Sequence, residues 1–237
     1  MLEGIAPEHC KKRVHVSVAK KIAIQIISGE FEEHQKLPCE FDLCEQHGIS
    51  RTALRESMKL LSAKGLLCSK PKIGTRVQSR EMWHFMDAQL LEWIHETNKM
   101  KLFLNQFLGL RKAIEPEASA LSSLNATVEE RMELAVIFQS MVAASETDDM
   151  EAWIEQDMKF HCQIFKSTGN LFYVPFANIL PTILRTFIDN SAQGGRYCIQ
   201  EHAAIYDAVM AGNPQKARVA SKALLADENQ RLSVVTA

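Results

Sequence analysis

The sequence predicts a mainly α-helical protein, an N-terminal winged helix-turn-helix followed by a C-terminal all-α helical bundle. Three observations predict it. The first 80 residues read as three short amphipathic segments and then two β-prone runs. Beyond residue 80 almost every stretch repeats its apolar residues at helical spacing. The charge also divides, with a net of +5 over residues 1–80 and −7 over 81–237. The expected division is 1–79, a connector helix over 80–100, and 101–237.

The first helix lies in "VSVAKKIAIQIISGEF", where Val18, Ile22, Ile26 and Ile27 share a stripe and Gly29 stops it. A short helix follows Pro38, with Leu43 facing inward and Gly48 as its end. In "SRTALRESMKLLSAKG", Ser50 is the N-cap and Gly65 the terminator, and Leu54, Met58 and Leu61 form the core stripe. "LLCSK" and "TRVQS" read as a hairpin joined by "PKIG". Arg80–Glu96 reads as a helix with Trp83, Met86, Leu90 and Trp93 on one side.

"KLFLNQFLGLRKAIEPEASALSSL" is one long helix or a broken pair, because Pro116 either kinks it or marks a first turn. Thr127 and Glu130 form a capping-box signature. Further helices end at Gly169, run through Pro175 and Pro181, span "IQEHAAIYDAVMAG", and restart at Asn213-Pro214. Six or seven helices are therefore expected in the second part.

No apolar run approaches the roughly 20 residues that cross a bilayer, and the N-terminus has no basic-then-apolar leader pattern. Both point to a cytoplasmic protein with no membrane partner. The six cysteines form no C-x-x-C pair, which favours reduced thiols.

On the third helix, Arg51, Thr52 and Arg55 fall opposite the core stripe. Arg51 and Arg55 are one turn apart, so both guanidiniums reach one groove, where arginine matches guanine edges or phosphate. Ser50 and Thr52 sit at the helix N-terminus, where hydroxyl and N–H groups hold phosphate. For an isolated helix, a solvated face is the commoner explanation of two arginines. The preceding helix, the turn and the hairpin supply docking geometry that favours DNA.

Asp157 and His161 stand at i and i+4 on one face, and His202 lies on another helix. One carboxylate and two imidazoles suit a divalent ion such as Zn²⁺ or Ni²⁺, although such a pair is more often a surface pair or a satisfied core histidine. Arg111 sits in an apolar stretch and, if buried, needs a carboxylate, either an internal one such as Glu115 or Asp157, or an organic acid. Lys159 and Arg185 are secondary candidates for that acid.

"LPCEFDLCEQHGISRTALRESMKLLSAKGLL" followed by "IGTRV" resembles the GntR family of bacterial transcription factors. Leu37, Pro38, Glu40, Leu43, Gly48, Ser50, Arg51, Arg55, Glu56, Leu61, Gly65 and Leu66 all match its signature. The resemblance implies that Ser50, Arg51, Thr52 and Arg55 touch operator DNA, with a wing near Lys72, Gly74 and Thr75. Phe41 stands where the family often has an arginine, and Pro71-Lys72-Ile73-Gly74 replaces its R-G-x-G wing.

"LRKAIEPEASALS", "DMKFH" and "EHAAIYDAVMAGNPQKARVA" resemble the FCD effector domain of the FadR subfamily. That likeness implies an ion held by Asp157, His161, His202 and a fourth histidine, whose position here is Leu224. Either three protein ligands plus the effector hold the ion, or the polar groups bind effector without one. Likeness to regulators of galactonate operons implies a sugar acid such as an aldonate. The expectation is a homodimeric repressor that a small carboxylate effector releases from a pseudo-palindromic operator. The rival is a metal-dependent enzyme using Asp157, His161 and His202, and no base or nucleophile stands beside them in the sequence. A nucleic-acid-binding module with a purely structural helical partner is the third possibility.

Overall fold

The computed structural model describes residues 7–70, 74–190 and 197–226, with side chains at 7–13, 100, 101 and 184–190 excepted. Lys72, and the side chain of Arg185, lie outside what is described. The chain divides into two compact units, 1–101 and 102–237.

In the first unit, α1 (Pro7–Ser28) buries Val18, Ala19, Ile22, Ala23, Ile26 and Ile27, and Gly29 ends it in the left-handed region. The short α2 (Glu40–His47) starts where Asp42 accepts the Cys39 N–H, and it closes at the left-handed Gly48. Helix α3 (Arg51–Ala63) is capped by the Ser50 hydroxyl, which accepts the Ala53 N–H at 3.2 Å. Its core stripe is Leu54, Ser57 and Leu61, and Met58 is only half-buried. This corrects the expected stripe. Ser57 can be buried because its hydroxyl donates to the His15 carbonyl at 2.8 Å.

Strands β1 (Leu67–Lys70) and β2 (Gly74–Val77) pair antiparallel, with Leu67 opposite Val77 and Lys70 opposite Gly74. A single bridge between Lys36 and Arg76 extends the ladder.

The segment 80–96 is not one helix. A 3-10 turn at Arg80–Met82 is followed by a break, and α4 spans Ala88–His95. Asp87 starts the new helix by accepting the Leu90 N–H at 2.8 Å. Trp83 and Trp93 are buried as expected, whereas Met86 is exposed. The segment is bolted to the end of α3. The buried Lys64 ammonium lies 2.6 Å from Asp87 Oδ1 and over the Trp93 ring.

In the second unit, α5 (Met100–Asn125) runs unbroken through Pro116. It is followed by α6 (Val128–Glu146), α7 (Met150–Lys166), α8 (Val174–Asn190), α9 (Ile199–Met210) and α10 (Pro214–Leu224). The Thr127–Glu130 capping box is formed, and Asn213 caps α10 by accepting the Lys216 N–H. The core gathers Leu134, Met141, Trp153, Phe160, Phe165 and Val209. Among the described residues no helix is long and apolar enough to cross a membrane.

Candidate functional site

Two sites emerge, one on each unit. On the first, Ser50, Arg51, Thr52 and Arg55 are all exposed at the start of α3, and Gly74 and Thr75 begin the second wing strand. The structure brings Lys36, Arg55, Lys59 and Lys70 into one groove between α2, α3 and the hairpin. Lys59 lies one turn beyond Arg55 on the same helix, so the sequence already carried that signal. Lys36 reaches the groove only through the loop that pairs with β2. Two contacts temper the positive charge. Arg55 Nε is 3.5 Å from Glu40 Oε2, and Arg76 turns back to donate to the His34 carbonyl. Phe41 is exposed at the start of α2.

On the second unit, α5 presents Arg111 and Glu115, α7 presents Asp157 and His161, and α9 presents His202. All but Asp157 are buried, and Asp157 is largely so. Spacing of four residues puts each helical pair on one face. Arg111 forks onto Glu115, with Nε on Oε1 and Nη2 on Oε2 at 3.2 Å. Glu115 Oε2 also lies 3.1 Å from His161 Nδ1, so that nitrogen donates. His161 Nε2 then accepts from Arg111 Nη2 at 3.3 Å. The ring is thus fixed on both sides by one pair from α5.

His202 is oriented differently. Its Nδ1–H donates to the Cys198 carbonyl at 2.8 Å, which turns Nε2 toward Asp157 Oδ1 at 3.0 Å. Despite that short distance, Nε2 is a buried nitrogen without an aligned hydrogen bond. A protonated ring makes this an ion pair that holds Asp157 ionised, whereas a neutral one aims a lone pair at the carboxylate, a repulsion that a bound cation relieves. The edges of Phe160 and Trp153 wall the ring in.

The charges are strongly coupled. Burial pushes the Glu115 carboxyl up, but Arg111 and His161 outweigh it and hold it down at about 2. Burial likewise raises Asp157, and the His202, His161 and Arg111 side chains together hold it well below the usual carboxylate range. Burial lowers the Arg111 guanidinium, but Glu115 and Asp157 hold it above its ordinary value.

Asp157, His161 and His202 can offer ligand atoms that all lie within 4.8 Å of one another. They suit a divalent ion in two further respects. His202 Nε2 is buried without an aligned hydrogen bond, and both rings have their Nδ1 protons anchored, so both Nε2 atoms face the ligand side, that of His161 on condition that Arg111 Nη2 gives up its contact. Leu224, at the fourth position, is buried and offers no donor. Lys159 does not join this cluster. It pairs with Glu155 at 2.7 Å and lines an outer groove between α6 and α8, because its place two residues after Asp157 turns it to another face.

The comparisons with known proteins identify both units. Residues 15–77 match the bacterial regulatory proteins of the gntR family, and residues 106–227 match the FCD domain. The chain is 34% identical to the uncharacterized HTH-type transcriptional regulator YieP of Escherichia coli K12, over 91% of this chain and 94% of that one. It is 26% identical to the galactonate operon transcriptional repressor of the same organism, over 90% and 93%. Among solved structures, Lar of Listeria monocytogenes aligns over 92% of this chain and 95% of that one, with a TM-score of 0.54 at 18% identity, a likeness of fold. With an exposed arginine helix on one unit and a buried polar cluster on the other, the chain belongs to the GntR family of bacterial transcriptional regulators that carry an FCD domain, and it is a regulator rather than an enzyme.

Proposed function

We propose that this regulator is a homodimeric repressor acting in the cytoplasm, released from a pseudo-palindromic operator by a small organic acid that binds at the α5–α7–α9 cluster. The buried His202 Nε2, set against Asp157 without an aligned hydrogen bond and beside His161, carries this reading. A folded protein seldom leaves such a buried group unsatisfied without a use for it.

Charge balance refines the ligand. Arg111 contributes one positive charge, and Glu115 and Asp157 contribute two negative ones. With neutral imidazoles the cluster is net negative and repels an acid. A divalent cation reverses the sign. Asp157, His161 and His202 would hold it, and it would supply positive charge and an open position for an acid oxygen, because Leu224 leaves the fourth place free. Arg111 is already forked onto Glu115, so its role toward the acid is to supply field and to orient His161. The related galactonate operon repressor makes aldonates the first acids to test.

The test is thermal melting and operator-fragment anisotropy with Zn²⁺ or Ni²⁺ and a panel of aldonates, each alone and together. The expected result is a larger melting shift with metal and acid together than with either alone, accompanied by release of DNA. His202→Ala abolishes both effects. An equal acid response after chelation would favour an ion-free pocket, the arrangement to which the Arg111–His161 contact belongs. No response to any acid with metal present would overturn the sensor reading.

A further inference from the structure

We propose that Glu115 sets the charge of the effector, so that the α5–α7–α9 cluster takes monocarboxylates in preference to dicarboxylates. This rests on the reading that the cluster holds an ion and an acid together, and it names the class of acid. Fixed charge in a buried site decides it. Glu115 is 2% exposed. Arg111 forks onto it, and it accepts from His161 Nδ1 at 3.1 Å. A guanidinium and an imidazole N–H therefore hold this carboxylate ionised in place. Its charge cancels that of Arg111, so an incoming acid does not meet a free guanidinium.

The donor set fixes the rest of the count. An ion taken by Nε2 of His202, and by Nε2 of His161 once Arg111 withdraws, leaves both rings neutral. Each ring keeps its one proton on Nδ1, against Glu115 or the Cys198 carbonyl. Two positive charges from the ion and one from Arg111 then stand against one negative charge each from Glu115 and Asp157, a net of +1.

One carboxylate brings that cluster to neutrality. A polyol leaves it positive, and a dicarboxylate drives it negative. Screening is weak there, because the edges of Phe160 and Trp153 wall in His202, and Leu224 is buried with no donor to offer. Lys159, the next cation along α7, does not serve a far carboxylate, since it pairs with Glu155 beside an outer groove. A six-carbon acid is short enough that its far end stays within the ~8 Å over which charges act at physiological salt. The second charge of a diacid is therefore felt by the cluster and opposed.

Isothermal titration of the full chain tests this, with free Zn²⁺ or Ni²⁺ fixed by a metal buffer. The ligands share a skeleton and differ in charge: galactitol, galactonate and galactarate, then glycerol, glycerate and tartronate. Affinity should peak at the monoacid, by ~10-fold or more over the diacid. Glu115→Gln raises the count by one and should shift the preference toward the diacid by ~10-fold or more, which a merely structural role would not do. Glu117→Gln, on an exposed carboxylate of the same helix, should leave the order unchanged. If Glu115→Gln lacks a cooperative melt, the wild-type series decides alone. A diacid bound as tightly as the monoacid, or an unchanged preference in Glu115→Gln, overturns the proposal and leaves the acid sensor standing. A protein that binds neither ion overturns the count and leaves the ion-free pocket. A polyol bound as tightly as the acids, or silence from all six ligands, overturns the sensor reading and the proposal with it.

Discussion

His202 shows how much chemistry a single tautomer decides. Its sequence position suggested a ligand, but the carbonyl that pins Nδ1 comes from Cys198 on the same helix's first turn, which no spacing rule reveals. Glu115 was legible as a possible partner of Arg111, since both fall on one helix face. Its second bond, to His161, depends on how α5 and α7 pack and was not legible. The pair predicts a pH dependence. Glu115 is held at about 2 when folded, against 4.5 without its partners, so its contribution is complete above about pH 4.5 and is lost as pH falls toward 2. That contribution is about 3 kcal/mol by linkage, and denaturant titrations across this window should show it as a falling midpoint. Glu115→Gln should cost about 3 kcal/mol or more at neutral pH, because it leaves a buried guanidinium without its countercharge. On the DNA side, Arg51→Ala or Arg55→Ala should weaken operator binding by about 1–3 kcal/mol if the side chain reads a base. Lys59→Ala should weaken all sequences alike and reduce the salt slope by about 1. Anisotropy titrations at several salt concentrations separate the two.

At the scale of elements, boundaries with chemical punctuation were readable and those without it were not. Ser50, Thr127 and Asn213 each cap the helix that the sequence assigned to them. Thr127→Ala should cost about 1 kcal/mol in melting experiments. The break inside 80–96 was hidden because Trp83, Met86, Leu90 and Trp93 happen to keep helical spacing. The signal that wins is Asp87, whose carboxylate takes the Leu90 N–H and the Lys64 ammonium together. Ser57 is missing from the expected core stripe because its partner, the His15 carbonyl, is 42 positions away. Gly65 is required on two counts. Its φ is +76°, and a Cβ there would run into the Met82 carbonyl oxygen. Gly65→Ala should therefore destabilise the first unit by more than about 1 kcal/mol, seen as a lowered melting temperature.

For the molecule as a whole, the division of charge was visible in the sequence and has a direct consequence. A basic head of net +5 and a remainder of −7 confine attraction for DNA to one part of the chain. Operator affinity should fall steeply with salt, with a log–log slope of about −0.9 for each phosphate neutralised. The double role of α7 was not visible. One face carries Asp157 and His161 into the cluster and Lys159, two residues on, stands on another, but only packing shows that this other face lines an outer groove.

The fastening of the reading helix has one more implication. Ser57 is hydrogen-bonded to α1, Lys64 is clasped by Asp87 beneath Trp93, and Gly65 fits against Met82. A duplex read by α3 should therefore meet a rigid tool finished before contact. Little of the binding free energy should then go into shaping α3, and a mismatched base should not be accommodated by letting the helix yield.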